Sequence, residues 1–329
     1  MVREKKMLKN VKVIDLFAGI GGFHQAFKSF GADVIFASEW DKNAAEVYRK
    51  NYKINVAGDI EQISENDVPE HNVACFGFPC QAFSISGSQR GFDDARGTLF
   101  FEAARIVRAK QPEVIFAENV KNLVSHDEGN TIKVIMRTLD EIGYNAFYSV
   151  LDASDFGIPQ SRKRVYIVGF RKDLGVKQFN FPQPIKLKKH VIDILEEDSD
   201  MTEALVIQRD DIQYDISKGY YANKPVRIGT VNKGGQGERI YDPRGTGITL
   251  SAYGGGVGAK TGLYLINNKV RRLTPRECAR LQGFPENFKI HSNRNVAYMQ
   301  FGNSVVIDVL QKIIEEIVKI DEVMQAWKK

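Results

Sequence analysis

Residues 11–23 of the chain read VKVIDLFAGIGGF. Residues 11–17 form an apolar run broken only by Lys12 and Asp15, which predicts a buried strand. The glycines that follow predict a tight turn into a helix, where a ligand can approach the backbone and meet helix amide groups. Many nucleotide-binding folds share such a turn, so it indicates an α/β fold without deciding the ligand.

Strand-like and helix-like segments alternate downstream of this turn. The alternation predicts βαβ units and a mostly parallel sheet. The predicted strands are residues 11–17, 34–37, 73–76, 114–117 and 165–170, and the predicted helices between them include 42–51, 99–110 and 132–142.

The pattern breaks after residues 181–184 (FPQP), and a region rich in glycine, threonine and tyrosine follows. Helical periodicity returns at 275–282, with Thr274 as its cap and Pro275 in the first turn. A long final helix is expected from about Ser304. We therefore predict an α/β domain formed by residues 1–192 and 275–329, interrupted by a small β-rich domain at 193–274.

Composition narrows the class of protein. The 329 residues include three cysteines, Cys75, Cys80 and Cys278, at spacings that match no zinc or disulfide framework, so we expect a reducing, cytoplasmic setting. The five histidines form no HxxxH pair, so we expect no metal site. No apolar run approaches the length of a membrane span, and we expect no membrane association.

Charge is distributed unevenly along the chain. Residues 217–276 contain eleven lysines and arginines against two acids, a local net charge of +9, whereas the whole chain carries +5. The remainder therefore carries −4. A basic block inside a slightly acidic protein indicates a polyanionic partner, although charge runs are often only solvated faces.

Polar residues near the glycine turn indicate a nucleoside-containing cofactor. Glu39 lies about 20 residues beyond the turn, at the end of the second strand, where such folds place an acid that binds ribose hydroxyls. Trp40 could stack on an adenine, and Asp59 could accept a hydrogen bond from its amino group. Each residue alone is more often structural, and the cofactor prediction rests on the three together.

Reactive side chains follow two other strands. Cys80, within GFPCQAFS (77–84), leaves the strand at 73–76, and Glu118 follows the strand at 114–117. A cysteine nucleophile and an acid at one sheet edge make a plausible catalytic pair. Arg162 and Arg164 alternate at the start of another strand, where they would share one face and could hold a carboxylate or carbonyl oxygen.

Taken in order, these stretches resemble the cytosine-5 DNA methyltransferases. The resemblance covers nearly the whole chain and rests on the segments 15–23, GFPCQ (77–81), ENV (118–120), QSRKR (160–164), RECAR (276–280) and QFGNSV (300–305). It implies a Rossmann-like methyltransferase domain with a target-recognition domain at 193–274. It also implies S-adenosylmethionine as methyl donor, with no metal.

The resemblance assigns roles to individual residues. The Cys80 thiolate would attack carbon 6 of cytosine, Glu118 would protonate or hydrogen-bond ring nitrogen 3, and Arg164, with Arg162 nearby, would bind the carbonyl oxygen of the base. The residues implied in the cofactor pocket are Phe17, Gly19, Gly22, Glu39, Trp40, Asp59, Ile60, Leu99, Asn303 and Val305.

The implied substrate is double-stranded DNA with the target cytosine flipped out of the stack. Gln236 would fill the space left by the base, with Ser86 opposite, and Arg239 would read guanine. Thr249 and Tyr253 would contact phosphate or fix the recognition loop. The segments 233–241 and 249–256 resemble those of a bacterial member that recognises GCGC, which suggests a monomeric enzyme of a restriction-modification system with a cognate endonuclease.

Three other functions are weighed against this one. A relative could methylate cytosine in transfer RNA with the same motifs, although the recognition region of about 80 residues favours DNA. An inactive DNA-binding protein is disfavoured by the intact Cys80, Glu118 and Arg164. A nicotinamide-dependent dehydrogenase rests on the glycine turn alone.

Overall fold

The computed structural model describes residues 7–78, 99–186 and 189–328. The chain forms two compact units. The first comprises Met1–Leu151, Lys163–Pro182 and Leu310–Lys329, and the second comprises Asp152–Arg162 and Gln183–Val309. These limits describe how the chain packs. The predicted catalytic domain, 1–192 with 275–329, and the predicted recognition domain, 193–274, stay predictions.

Within the described residues, the first unit is built on a seven-stranded sheet of order β3-β2-β1-β4-β5-β7-β6. The strands are β1 (Lys12–Leu16), β2 (Asp33–Ser38), β3 (Val56–Ala57), β4 (Val73–Gly77), β5 (Val114–Val120), β6 (Tyr144–Asp152) and β7 (Lys163–Arg171). Strand β1 pairs in parallel with β2 and β4, β2 with β3, and β4 with β5, whereas β7 runs antiparallel to β5. The fold is thus the predicted mixed α/β type.

The chain moves outward from β1 in both directions, to β2 and β3 on one side and to β4 and β5 on the other. A parallel sheet opens a crevice at the carboxyl ends of its strands where the order reverses, and ligands collect there. The carboxyl ends of β1 and β4 meet at this point, since Leu16 pairs with Phe76. The topology therefore places the candidate site beyond Leu16 and Gly77.

Helices are present in both units. They are α1 (Gly22–Lys28), α2 (Lys42–Tyr52), α3 (Leu99–Lys110), α4 (Asn130–Glu141), α5 (Asp200–Glu203), α6 (Pro275–Leu281), α7 (Arg294–Asn303), α8 (Ile307–Ile317) and α9 (Asp321–Ala326). The core of the first unit joins β1, β4 and β5 to α3 and α4 through buried apolar side chains such as Ile14, Phe76, Ile115, Ile106 and Ile135. Burial of such side chains is the main favourable term in folding.

The second unit contains a five-stranded sheet of order β12-β11-β10-β9-β8 in the described residues. Its strands are β8 (Gln213–Tyr214), β9 (Val226–Thr230), β10 (Arg239–Asp242), β11 (Leu263–Ile266) and β12 (Lys269–Arg271). Its small core consists of Val226, Ile228, Val231, Ile240, Leu263 and Val270. The strands are short, as the glycine-rich composition predicts.

Thr274 begins α6 as predicted, because its side chain accepts from the backbone N–H of Glu277 in a capping box. The Glu277 carboxylate also pairs with Arg271 at 2.7 Å, and both side chains are almost completely buried. The predicted final helix from about Ser304 corresponds to α8, which begins at Ile307 after the extended Ser304 has ended α7. It ends at Ile317, and the separate α9, which was not predicted, follows it.

Candidate active site

The glycine turn has the conformation that its sequence predicts. Gly19 and Gly21 have φ values of +54° and +88°, a region that favours glycine. Phe17 also has a positive φ of 54°, a strained value of the kind found at functional sites. A side chain added at Gly19 would meet no atom of the described residues within 4 Å, so the turn has open space beside it in that part of the chain.

Glu39 contacts the glycine turn directly. Its carboxylate accepts from the backbone N–H of Gly19 and from that of Asp41, both at 2.8 Å. Burial raises the pKa of Glu39, and these two hydrogen bonds oppose the shift. A carboxylate has about four acceptor positions, so Glu39 can still accept from a ligand. Trp40, its neighbour, is 76% exposed.

The other predicted cofactor residues of the first unit lie around the same core edge. Asp59 is exposed, and its carboxylate accepts from Glu61 N at 3.1 Å at the start of a 3-10 turn. The side chain of Ile60 is buried, and Phe17 and Leu99 pack partly buried against the same apolar cluster. The structure thus brings these three apolar side chains into one cluster.

Two buried polar atoms lie at the carboxyl ends of β1 and β2. In the described structure, Asp15 Oδ1 and Ser38 Oγ are buried without a hydrogen-bond partner. Burial raises the pKa of Asp15 well above its usual range. Buried polar atoms are nearly always satisfied by protein, water or ligand. The prediction from sequence gave neither residue a role, because nothing in their local pattern shows an unmet hydrogen bond.

A buried aromatic cluster contacts the glycine turn. His24 Nδ1 lies 2.7 Å from Tyr48 Oη, and its ring stacks on Tyr52 with centroids 3.8 Å apart. Tyr52 Oη donates to Gly21 O at 2.9 Å. Burial lowers the pKa of His24 to about 3. Sequence reasoning missed this cluster, and its only signal is the i, i+4 spacing of the two tyrosines on α2.

Glu118 and Arg164 form an ion pair on neighbouring strands. Arg164 Nε lies 3.1 Å from Glu118 Oε1, with the side chains only 13% and 10% exposed. The predicted strand ended at Ala117, but β5 continues to Val120 because its last residues pair with β7. Glu118 therefore lies inside the strand, which fixes its backbone more firmly than a loop would.

Asn119 ties this strand to the end of β4. Its side-chain amide donates to Phe78 O at 2.8 Å, and Asn119 is buried. The interaction places the acid-bearing strand beside the segment that leads to the predicted nucleophile. Cys80 and Ser86 themselves lie outside the described residues.

Arg162 and Arg164 have different partners. Arg162 is 2% exposed and belongs to the second unit. Its guanidinium donates to the carbonyl groups of Leu250, Gly302 and Ser304 at 3.0, 3.0 and 2.7 Å. These bonds fasten three backbone positions distant in sequence, so the contacts of Arg162 are those of an anchor, whereas Arg164 pairs with the candidate acid.

The predicted DNA-reading residues that the structure describes lie in the second unit. Gln236 begins a 3-10 turn and Arg239 follows it as the first residue of β10, and both are exposed. Gly258 N donates to Gly237 O at 2.7 Å, so the loops at 234–237 and 254–258 are joined. Tyr253, immediately before the second loop, is 76% exposed.

Three further predicted residues belong to the second unit. Thr249 donates through its hydroxyl to Ser161 O at 2.6 Å. Asn303, at the end of α7, is exposed, whereas Val305 is buried. Across the described ranges, there is no cluster of three or more histidine, cysteine, aspartate or glutamate residues able to hold a metal ion. In those same ranges, every helix is too short or too polar to cross a membrane.

Comparisons with known proteins identify the family to which the chain is similar. The family model described as "C-5 cytosine-specific DNA methylase" matches residues 11–319. The chain is 53% identical to the type II methyltransferase M.HhaI of Haemophilus parahaemolyticus, covering 94% of each chain. It is 42% identical to the type II methyltransferase M.SsoII of Shigella sonnei, covering 93% of this chain and 80% of that relative.

Solved structures show the same fold at lower identity. A methyltransferase of Entamoeba histolytica, EhMeth, superimposes with a TM-score of 0.73 and 21% identity, covering 94% of this chain and 98% of the other. The Dnmt2 methyltransferase of S. pombe superimposes with a TM-score of 0.69 at 21% identity, covering 94% and 99%.

Proposed function

The chain belongs to the C-5 cytosine-specific DNA methylases and is a DNA cytosine-5 methyltransferase, and from that premise we propose that it methylates a flipped-out cytosine in duplex DNA with S-adenosylmethionine as donor. The observation that carries the proposal is the Glu118–Arg164 pair at 3.1 Å. Glu118 lies on β5, the strand next to the one that leads to Cys80, and Arg164 lies on β7. A carboxyl group oriented by a cation is held ready to interact with the ring of a base that has been withdrawn from the stack.

The residues around the glycine turn fit S-adenosylmethionine. Open space beside Gly19 and the two unpartnered buried atoms, Asp15 Oδ1 and Ser38 Oγ, suit a ligand with polar groups. Glu39 would accept from ribose hydroxyls, Trp40 would stack on the adenine and Asp59 would accept from its amino group. The remaining proposed pocket residues are Phe17, Gly19, Gly22, Ile60, Leu99, Asn303 and Val305.

Bound there, S-adenosylmethionine would supply an electrophilic sulfonium methyl group. Carbon 5 of cytosine is a poor nucleophile, and the Cys80 thiolate would activate it by forming a bond to carbon 6, which shifts the ring's double-bond electrons toward carbon 5. Glu118 would give a proton or hydrogen bond to nitrogen 3, and Arg164 would bind the carbonyl oxygen. After transfer, carbon 5 loses its proton to a base and the thiolate leaves.

The second unit supplies the proposed DNA contacts. We assign target recognition to residues 193–274, with 1–192 and 275–329 as the catalytic and cofactor-binding part. Gln236 and Ser86 would occupy the gap left by the base, Arg239 would bind guanine O6 and N7, and Thr249 and Tyr253 would fix the recognition loop or contact phosphate. The 53% identity to M.HhaI supports GCGC as the target.

The same relatives support a biological setting. The names of M.HhaI and M.SsoII place them among type II methyltransferases. We therefore assign this enzyme to a restriction-modification system with a cognate endonuclease that acts on the same site. One catalytic and one recognition region per chain suffice for a monomer that works on DNA in the bacterial cytoplasm.

The decisive experiment is transfer of labelled methyl groups from S-adenosylmethionine to matched duplexes, one carrying GCGC and one scrambled, with transfer RNA as a third acceptor. Label on GCGC alone is expected. Label on the scrambled duplex would discard the specificity and keep the chemistry, and label on transfer RNA alone would discard the DNA substrate.

The nucleophile is tested with a duplex that carries 5-fluorocytosine at the target. Fluorine cannot leave as a proton does, so the wild-type protein is expected to form a stable covalent adduct. Cys80→Ala should form none. Adduct formation by that variant would show that another residue attacks the base.

A further inference from the structure

Arg105, in the middle of α3, contacts three residues of the segment that follows Asp59. Its Nη2 donates to Ile60 O at 3.2 Å and to Ile63 O at 2.9 Å. Its Nη1 lies 2.8 Å from Glu65 Oε1, and its Nε donates to Glu102 Oε2 at 2.9 Å. One guanidinium therefore holds two backbone carbonyls and one carboxylate of residues 60–65.

The segment that Arg105 holds consists of two single 3-10 turns, Ile60–Gln62 and Glu65–Asp67. Short 3-10 turns have few internal hydrogen bonds and little stability of their own. Arg105 lowers the pKa of Glu65 through a side-chain hydrogen bond, so Glu65 stays ionised and paired. The conformation of both turns is thus fixed to α3 through this side chain.

Asp59 depends on the first of these turns. It is the N-cap of Ile60–Gln62, and its carboxylate is oriented by the backbone N–H of Glu61. A change in the path of the backbone at Ile60 would therefore redirect the Asp59 carboxylate. Displacement of a ligand-binding group by about 1 Å is enough to weaken an interaction severely.

We propose that Arg105 is a positioning residue for the adenine end of the cofactor, acting through Ile60, Ile63 and Glu65 on Asp59. This inference rests on the proposed cofactor assignment and adds a residue that acts on the pocket through other residues. Its contacts described above lie on residues 60–65 and on Glu102, and none of them is with Glu118 or Arg164. Its loss should therefore change cofactor affinity more than the rate of the chemical step.

The planar fork of arginine explains why this residue type is needed. Arginine presents five donors in fixed geometry, whereas lysine offers one point charge on a flexible stem. Lysine at this position could reach one carbonyl or Glu65, but it could not hold all of them together. Arg105→Lys is therefore expected to restore only part of what Arg105→Ala loses.

The test compares wild type, Arg105→Ala, Arg105→Lys and the control Arg137→Ala. Arg137 is an arginine of the same unit, about half exposed, whose ion pair is with Glu141 one turn along its own helix. Initial rates on the GCGC duplex give KM for S-adenosylmethionine and kcat. The 5-fluorocytosine adduct counts active molecules, so partial unfolding does not distort kcat.

Arg105→Ala is expected to raise KM for S-adenosylmethionine by about tenfold, equivalent to about 1.4 kcal/mol, with kcat per active molecule within about twofold of wild type. Arg105→Lys should fall between, and Arg137→Ala should match wild type. Competitive inhibition by adenosine and by S-adenosylhomocysteine should weaken by the same factor, because both carry the adenine.

Other results would overturn the proposal. If KM stays within about twofold in Arg105→Ala, or if kcat falls while KM does not, Arg105 is only a structural residue and the proposed function stands. If adenosine inhibition is unchanged while S-adenosylhomocysteine inhibition weakens, the effect is not at the adenine. If wild type itself neither binds S-adenosylmethionine nor methylates DNA, the proposed function fails and this inference with it.

Discussion

Three carboxyl groups of the first unit differ in what surrounds them. Asp15 is completely buried with one unpartnered oxygen, Glu39 accepts from two backbone N–H groups, and Glu118 faces the guanidinium of Arg164. Only the last has a cation as its partner. Carboxyl groups with different surroundings can take different roles within one site, so Glu118 can have a role that Asp15 and Glu39 do not share.

Replacing this acid tests its role in proton transfer. Glu118→Gln keeps the size of the side chain but cannot donate a proton as a carboxylic acid does, so we predict a fall in kcat of about 10²–10⁴-fold. KM for S-adenosylmethionine should change little. The measurement is steady-state methylation of the GCGC duplex.

Glu113→Gln is the matched control, because Glu113 also pairs with an arginine of β7, Arg171, at 3.5 Å, at the other end of β5. It should keep nearly full kcat. Equal losses in both variants would mean that Glu118 acts through strand stability alone.

The buried His24 predicts a pH dependence of stability. The pKa of His24 is lowered to about 3 by burial and by Lys28, whereas an unfolded histidine titrates near 6.5. The unfolded state therefore binds the extra proton, and stability present above pH 6.5 is lost as pH falls toward 3. Tyr48 and Tyr52 contact the ring, and burial there disfavours its charged form.

Urea unfolding at pH 7.5 and pH 5.0 checks this. Between these values wild type should lose about 2 kcal/mol more than His24→Gln, from the linkage of proton binding to folding. His71, whose pKa is also lowered by burial, contributes equally to both proteins. The control His126→Gln, at an exposed histidine, should lose as much stability between the two pH values as wild type. An equal loss of stability in His24→Gln and wild type would contradict the prediction.

The glycine turn is the element on which the candidate site depends. Gly21 has a positive φ, and a Cβ there would lie 2.2 Å from the Tyr52 ring. Gly19 also has a positive φ, but a Cβ there would meet no atom within 4 Å in the ranges that the structure describes. Alanine at Gly19 therefore adds backbone strain alone, whereas alanine at Gly21 adds both backbone strain and a steric clash.

Gly19→Ala should cost about 1–2 kcal/mol of stability from left-handed strain alone. Gly21→Ala should cost more, because Tyr52 must also move and its bond to Gly21 O is lost. Thermal unfolding of the two variants measures the difference. A Gly21→Ala protein as stable as Gly19→Ala would show that Tyr52, on α2, can move away without loss of stability.

At the scale of the whole molecule, local patterns predicted most elements and few long-range contacts. Period-two and period-3.6 patterns located β1, β2, β4, β7, α2 and α3 to within a few residues, because burial of one face dictates those periods. The family resemblance is confirmed by the match over residues 11–319. The roles of individual site residues stay predictions.

What the sequence could not provide are contacts between distant positions. Arg162 was paired with Arg164 in the prediction because they are two residues apart, yet its guanidinium binds carbonyls at Leu250, Gly302 and Ser304. The end of β5 was placed three residues early because Glu118, Asn119 and Val120 do not look like buried strand residues. Their strand conformation comes from pairing with β7, which no local window contains.

The uneven charge of the chain predicts how its DNA affinity responds to salt. Residues 217–276 carry +9 and the remainder −4, so counterion release should come from the second unit. Within this block, Lys233 and Arg239 are both exposed and lie near each other in sequence. A contact to phosphate strengthens binding to any DNA sequence, whereas a contact to a base strengthens binding only to sequences that contain that base.

We therefore predict opposite patterns for two variants. Lys233→Ala should weaken binding to GCGC and scrambled duplexes alike and reduce the slope of log Kobs against log salt by about 1. Arg239→Ala should cost about 1–3 kcal/mol on GCGC and far less on the scrambled duplex, because the guanine contact is lost. Lys319→Ala, an exposed lysine of the first unit paired with Glu316, is the control and should leave affinity and slope unchanged. Fluorescence anisotropy at several salt concentrations measures all three. An equal loss on both duplexes for Arg239→Ala would assign it to phosphate and leave base reading to the backbone of the two joined glycine loops.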